Sequence, residues 1–247
     1  MTQRKPLLIL QMGYPPEDDM RRYGTQPDWI KTALANPGLP SVPEGIQYQV
    51  VKPFLGEALP PPEDIQAAII SGSWAMVTDK ADWSERSAAW IKDAMAANTP
   101  LLGVCYGHQL MAYALGGMVD YNPKGKELGT LDITLLPAAQ DDPMFASLPA
   151  SFPAHLTHEQ SVLVPPIGAT VLAATEHDAY QILRYSPTAI SVQFHPEFTP
   201  AIMTASIERN RQKLQAQGLS ADDLLKNVRT TPDATGILRR FVAHAYA

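Results

Sequence analysis

The sequence holds a single cysteine in 247 residues, so no disulfide can form within the chain. No apolar run approaches the roughly 18 to 20 residues needed to cross a bilayer. The N-terminal MTQRKPLLILQMG has only a short apolar run before polar residues, without the architecture of a secretory signal. These absences point to a cytoplasmic chain. Positive charge is also scarce: 19 Lys and Arg stand against 25 Asp and Glu, for a net charge of −6. With its basic residues scattered, the chain has no electrostatic footprint for nucleic acid and no polybasic surface for a membrane. A G-x-x-x-x-G-K-S/T phosphate loop is missing. One Cys and six dispersed His supply no tetrahedral ligand spacing. Neither a metal nor a cofactor is expected, and the partner is a small molecule or another protein.

What is present is enough apolar residue, 45%, to bury a sizeable core in one domain spanning 1–247. Four short apolar runs bounded by Gly or Pro read as buried strands: 6–13, 46–54, 67–73 and 100–105. Between the last two, Trp83, Ala88, Ile91 and Met95 keep helical spacing over 82–98. Strand, helix and strand in succession predict an α/β fold with an open, mostly parallel sheet covered by helices on both faces. From 130 to 194 the texture changes to short strands with little helix, a strand-rich sector expected to pack on the same core. Residues 198–247 turn helical again and read as a C-terminal extension of the same domain. The polar stretch 13–28, GYPPEDDMRRYGTQPD, reads as a long loop, either disordered or lining a site.

Cys105 lies in Gly103-Val104-Cys105-Tyr106-Gly107, where a strand runs into a helix expected over 106–115. Small residues two positions either side let a tight, strained turn close while the side chain projects from the sheet edge, as a nucleophile elbow requires. The helix N-terminus favours thiolate, the reactive form. The pentapeptide alone leaves open a second reading, a small buried apolar residue.

A nucleophile needs a base. Of the six histidines, His195 in AISVQFHPEF follows an alternating strand and has Glu197 two positions on, on the same side if the chain is extended there. Glu197 would then hold one ring nitrogen and leave the other for the thiol. Taken alone, His195 and Glu197 read as a surface pair at a strand end. Oxyanion stabilisation needs backbone N–H donors, expected from Tyr106 and from the Gly72-Ser73 turn after strand 67–73. His108, on the first helical turn, reads as a packing or hydrogen-bonding residue. His155, His177 and His244 read as surface or satisfied residues, and 122–130 as a solvated connection or, because it follows the helix after Cys105, as an edge of the site.

With these pieces in hand, the chain resembles the class I, triad-type glutamine amidotransferases, in particular the glutaminase domain of GMP synthetase and its free-standing relatives. GVCYGHQLMAYALGG is similar to the family's nucleophile segment and VQFHPEF to its His-Pro-Glu segment. SGS at 71–73 takes the place of a Ser-Gly-Gly turn, and HLTHEQSV at 155–162 that of a Ser-His-x-Asp-x-Val stretch. The resemblance implies a flavodoxin-like fold and hydrolysis of the glutamine side-chain amide through a γ-glutamyl thioester. Cys105 would be the nucleophile, His195 the general base and acid, and Glu197 its orienter. Tyr106, Ser73 and Gly72 would form the oxyanion turn. Gln109, His158, Glu159 and Gln160 would border the substrate, although Gln160 replaces the family's Asp and Ser73-Trp74 replaces Gly-Pro. The implied partners are glutamine or a γ-glutamyl compound, and a separate ammonia-using synthetase subunit. A γ-glutamyl peptidase acting on larger conjugates is the alternative, with Tyr14, Arg21, Arg22 and Tyr23 of loop 13–28 on its leaving-group side. A non-catalytic binding module of the same fold is the third reading.

Overall fold

The computed structural model describes residues 4–16, 20–36 and 42–247. The four apolar runs become four-residue strands: β1 (Leu7–Leu10), β2 (Tyr48–Val51), β3 (Ala67–Ile70) and β4 (Leu101–Val104). β2, β1, β3 and β4 lie side by side and parallel, and β11 (Ala189–Val192) continues the parallel set beyond β4, Val192 opposite Val104. The strand-rich sector then extends the same sheet with antiparallel neighbours: β10 (Ile182–Ser186), β9 (Thr170–Ala174), β6 (Glu127–Leu135) and β7 (Ser151–His158). Nine strands thus form one mixed sheet. A separate two-stranded ribbon pairs β5 (Met118–Tyr121) with β8 (Gln160–Val164).

Side-chain alternation divides the core in two. Leu7, Ile9, Ala67, Ile69, Leu102 and Val104 face one way, beneath α1 (Gln26–Ala35) and α7 (Pro232–Ala245). Leu8, Leu10, Ala68, Ile70 and Leu101 face the other, beneath α2 (Asp82–Ala96) and α3 (Tyr106–Ala114). Strands buried on both faces carry no polar alternation, which is why they read as continuous apolar runs. α4 (Pro200–Arg209), α5 (Arg211–Ala216) and α6 (Ala221–Lys226) follow the last strand, and Met203, Ile207, Leu214 and Ala221 gather with Leu128 in a smaller cluster. Among the described residues, no helix is long and apolar enough to cross a membrane.

The expected loop 13–28 ends early, because α1 begins at Gln26. The Asp28 carboxylate accepts from the Thr25 N–H at 2.8 Å and the Thr25 hydroxyl at 2.7 Å, closing the helix start. Residues 17–19 of that stretch lie outside the described residues. β3, β4 and β11, being parallel neighbours, deliver their carboxyl ends to one edge of the sheet. There the chain continues as Ser71-Gly72-Ser73, as Cys105 and as the segment Gln193 to Glu197.

Candidate active site

Cys105 joins β4 to α3 in a conformation that L-residues rarely adopt, φ 50° and ψ −100°. Its N–H donates to Val192 O at 2.9 Å and its carbonyl accepts from Gln109 N at 3.1 Å, so sheet and helix both clamp the turn. The flanking glycines are steric necessities. A Cβ on Gly103 would lie 2.6 Å from Gly107 O, and one on Gly107 would lie 2.2 Å from Ile70 O. Backbone strain held by surrounding structure is a mark of functional turns.

His195 comes to the same edge from beyond β11. Its Nδ1 is 2.8 Å from Glu197 Oε1, its N–H donates to His155 O at 2.8 Å, and its ring stacks on Phe198 at 4.0 Å between centroids. The contact with Glu197 is made by a turn, Phe198 N–H donating to His195 O, and not by the extended chain that the i, i+2 spacing predicts. His195 and Glu197 are 5% and 2% exposed, so the surface-pair reading of them fails. Burial works against a charged imidazole, but the charges of Glu197 and then Cys105 outweigh it and hold the His195 pKa up at about 10.

Gly72 fits between these two residues. A Cβ there would stand 2.9 Å from His195 Cε1 and 3.6 Å from Cys105 Cβ, so close approach to the imidazole requires the glycine. The Gly72 carbonyl accepts from the Ser71 hydroxyl at 2.9 Å and from Gln26 Nε2 at 3.4 Å. In a planar trans peptide the Ser73 N–H points the opposite way. The Ser73 side chain is structural: its hydroxyl donates to Met12 O at 2.7 Å and accepts from Ala75 N at 3.1 Å. Tyr106 opens α3, where the first N–H groups of a helix have no partner within it. Its ring is buried against Trp83, its hydroxyl lies 2.6 Å from Ser84 Oγ, and burial pushes its pKa up to about 12.

Gln109, His158, Glu159 and Gln160 all line the narrow cleft that Cys105 and His195 open into. Most of their polar groups are already engaged. Gln109 Nε2 donates to Gln160 O at 2.6 Å and to Gln193 Oε1 at 3.0 Å. His158 places Nδ1 2.9 Å from Gln160 O and Nε2 2.8 Å from Glu127 Oε2, while Gln160 Nε2 donates to Thr78 Oγ1. Glu159 keeps its carboxylate near solvent, 3.7 Å from Lys126 Nζ and 3.8 Å from Lys213 Nζ.

Of the two readings of 122–130, the site edge holds, because Lys126 lines the cleft. Glu127 is 3% exposed and accepts from Thr175 Oγ1 at 2.7 Å and Gln181 Nε2 at 2.8 Å besides facing His158. Burial raises its pKa, but the hydrogen bond and charge of His158 lead the effects that bring it below the usual value. Lys126 lines the cleft, where burial lowers its pKa against the pull of Glu159. Glu127, His158 and Asp178 bring ligand-type atoms within 4.8 Å of one another, a juxtaposition invisible in the sequence. Both nitrogens of His158 and both oxygens of Glu127 are hydrogen-bonded there, which fits a protein network better than a cation.

Of the remaining expectations, His108 is packed as expected, with Nδ1 2.7 Å from Ser191 Oγ and its pKa lowered to about 3 by burial, then by the charge of His158. His155, read as surface or satisfied, is fully buried with Nδ1 3.0 Å from Thr130 Oγ1, and its carbonyl holds the His195 N–H. Tyr14, Arg21, Arg22 and Tyr23 do not line the cleft. Tyr14 packs edge-on against Phe54 and Arg21 lies over the Tyr14 ring. Gln26 and Trp29 of α1 reach the cleft instead, without any signal in the sequence beyond the amphipathic spacing of their helix.

The glutamine amidotransferase class-I family profile matches residues 44–213. A GMP synthase (glutamine-hydrolyzing) of Thermosipho africanus is 35% identical over 135 residues, 54% of this chain and 24% of that protein. Gamma-glutamyl peptidase 4 of Arabidopsis thaliana is 30% identical over 171 residues, 67% of this chain and 68% of that protein. The chain thus spans about a quarter of the length of the GMP synthase it matches. A crystal structure of a glutamine amidotransferase from Thermotoga maritima superposes with a TM-score of 0.75 at 20% identity, covering 98% of each chain, a likeness of fold.

Proposed function

Because the chain belongs to the class-I glutamine amidotransferase family, we propose that it hydrolyses the side-chain amide of glutamine through a thioester on Cys105. The observation that carries this reading is the juxtaposition of a strained Cys105 with a His195 ring fixed at 2.8 Å by a buried Glu197. In the first step the Cys105 thiolate attacks the γ-carbonyl carbon. The C–N bond breaks as His195 gives its proton to the leaving nitrogen, releasing ammonia and leaving the γ-glutamyl thioester. Water then attacks the thioester while His195 takes its proton. Glutamate leaves, and the thiolate is restored. The backbone N–H groups of Tyr106 and Ser73 are the donors to the oxyanion of each tetrahedral intermediate, Gln26 and Ser71 holding the Gly72 carbonyl turned away. Glu159 and Lys126, opposite charges at the cleft, suit the ammonium and carboxylate of the amino-acid end. The ammonia released is available to a separate synthetase subunit.

A second reading, a γ-glutamyl peptidase, is favoured by Trp74. This residue follows Ser73, lines the cleft and is 39% exposed, an apolar platform for a leaving group larger than ammonia. Measuring ammonia and glutamate release from glutamine and from γ-glutamyl dipeptides tests both readings. Turnover of either substrate that disappears in Cys105→Ala supports the thioester, and turnover retained in that variant refutes it. A glutamine preference of about tenfold in kcat/KM, about 1.4 kcal/mol, that Trp74→Ala leaves unchanged would refute the peptidase reading.

A further inference from the structure

Lys126 and Glu159 line two spaces at once: the narrow cleft at Cys105 and a second, wider one of about 330 Å³. The second space lies between the turn after β5, at Asn122 and Gly125, and α5 with Lys213 and Gln217. Lys126 and Glu159 therefore stand at its border with the cleft. Lys126 is anchored there, its side chain 16% exposed and its ammonium donating to Asn210 Oδ1 at 2.9 Å. An ammonium has three donors, and Asn210 takes one. Glu159 Oε1 lies 3.7 Å from Lys126 Nζ and 3.8 Å from Lys213 Nζ, both longer than a hydrogen bond, so the carboxylate sits between two ammonium groups without being closed off by either. Along the described lining of the second space, these two lysines face one acid, a surplus of one positive charge.

The three charges select both where a substrate can be extended and by what. Under the reading of the cleft given above, on which this inference rests, Glu159 takes the α-ammonium of the glutamyl unit and Lys126 its α-carboxylate. Acylation of the α-nitrogen would remove the cation that Glu159 faces, so the amine stays free and any extension leaves through the α-carboxyl. An amide bond there takes the negative charge away from Lys126. A carboxylate on the following residue restores it and meets Lys213 as well. We propose that the second space is a subsite for an acidic residue joined to the α-carboxyl of the substrate glutamine, so that the chain deamidates an amino-terminal glutamine followed by Glu or Asp. The reaction is the one proposed for free glutamine: water is added at the side-chain carbonyl, ammonia leaves, Gln-Glu becomes Glu-Glu, and the peptide bond stays intact.

Glutamine and the dipeptides Gln-Glu, Gln-Ala and Gln-Lys are offered to the full chain. Ammonia is measured and the product identified by mass, which separates deamidation from spontaneous cyclisation of an amino-terminal glutamine. The kcat/KM for Gln-Glu should exceed that for Gln-Lys by about tenfold and that for Gln-Ala by about threefold, the range that partly exposed ion pairs supply. Calorimetric titration of Cys105→Ala with the same dipeptides should give the same order without turnover, and high salt should flatten it. Lys213→Glu, a change at a side chain 74% exposed, should reverse the order, with Gln-Lys overtaking Gln-Glu, an outcome that mere damage to the fold would not produce. Equal use and equal binding of the three dipeptides, or an order that Lys213→Glu leaves unchanged, overturns the subsite. Glutamine turned over while the dipeptides are neither bound nor hydrolysed would refute the subsite and leave the proposed reaction standing; dipeptides bound in the expected order by a chain that hydrolyses none of these substrates would do the reverse.

Discussion

Replacing Glu197 by Gln isolates what the buried carboxylate does for His195. The amide has nearly the same shape and can still accept from Nδ1–H across the 2.8 Å contact, so the tautomer and the ring orientation survive. The charge is lost. A hydrogen bond to a charged partner contributes about 1.5 to 3 kcal/mol, so kcat/KM should fall by about 10- to 150-fold. His195→Ala, which removes the proposed base, should cost several orders of magnitude more. The pH dependence is the sharper readout. In the parent chain the imidazole stays protonated up to about pH 10, because Glu197 and Cys105 together outweigh burial. Without Glu197, burial gains the upper hand and His195 titrates far lower, so the upper limb of the kcat/KM profile should move down toward neutrality. The assay is release of glutamate from glutamine, or from a γ-glutamyl peptide if that is the better substrate, followed across the pH range with each variant checked for folding. A variant within about twofold of the parent rate, with its upper limb unmoved, would refute the electrostatic role given to Glu197.

Further outcomes follow from the same geometry. Cys105→Ala should abolish turnover yet keep the fold and bind substrate, which isothermal titration with glutamine or a γ-glutamyl peptide checks; Ala still has to hold the positive φ, so a small loss of melting temperature is expected. Glu127→Gln should raise KM more than it lowers kcat, because it loosens His158 without touching Cys105. The folded-state pKa of Glu127 is lowered, so its contribution to stability is present above the unfolded value of about 4.3 and fades as pH falls through the folded value. The melting-temperature gap between parent and Glu127→Gln should therefore shrink in acid. Gly107→Ala puts a Cβ 2.2 Å from Ile70 O and should cost about 1 to 3 kcal/mol. Gly236→Ala, in mid-helix with nothing within 4 Å of the new carbon, should be neutral or stabilise by up to about 1 kcal/mol. Denaturant unfolding of the pair decides it, and equal effects would contradict the packing described for the elbow.

The parallel core was legible in the sequence because strands buried on both faces must be apolar throughout, and four such runs punctuated by Gly and Pro leave few alternatives. The elbow was legible for a related reason: Gly103 and Gly107 are demanded by local contacts of under 3 Å, so the constraint is written in neighbouring residues. His195 with Glu197 was legible as a pair, though by a turn and not by the extended chain that the spacing suggests. β5 and β7 escaped notice because their pairing partners lie 39 or more positions away in the ribbon and 17 to 31 in the hairpin, and half-exposed pairing leaves a weak apolar pattern. The Thr25-x-x-Asp28 start of α1 was present in the sequence but masked by the polar stretch before it. What only the tertiary structure decided is how groups remote in the chain share charge and hydrogen bonds. Glu127 reads as one acid in a solvated segment until β6 and β7 pair Glu127 opposite His158. Gln26 and Ser71 converge on the Gly72 carbonyl from different elements. Covalent neighbours and side-chain periodicity fix which residues are buried; which buried polar group finds a partner depends on the packing of distant elements, and that information is absent from any local stretch of the chain.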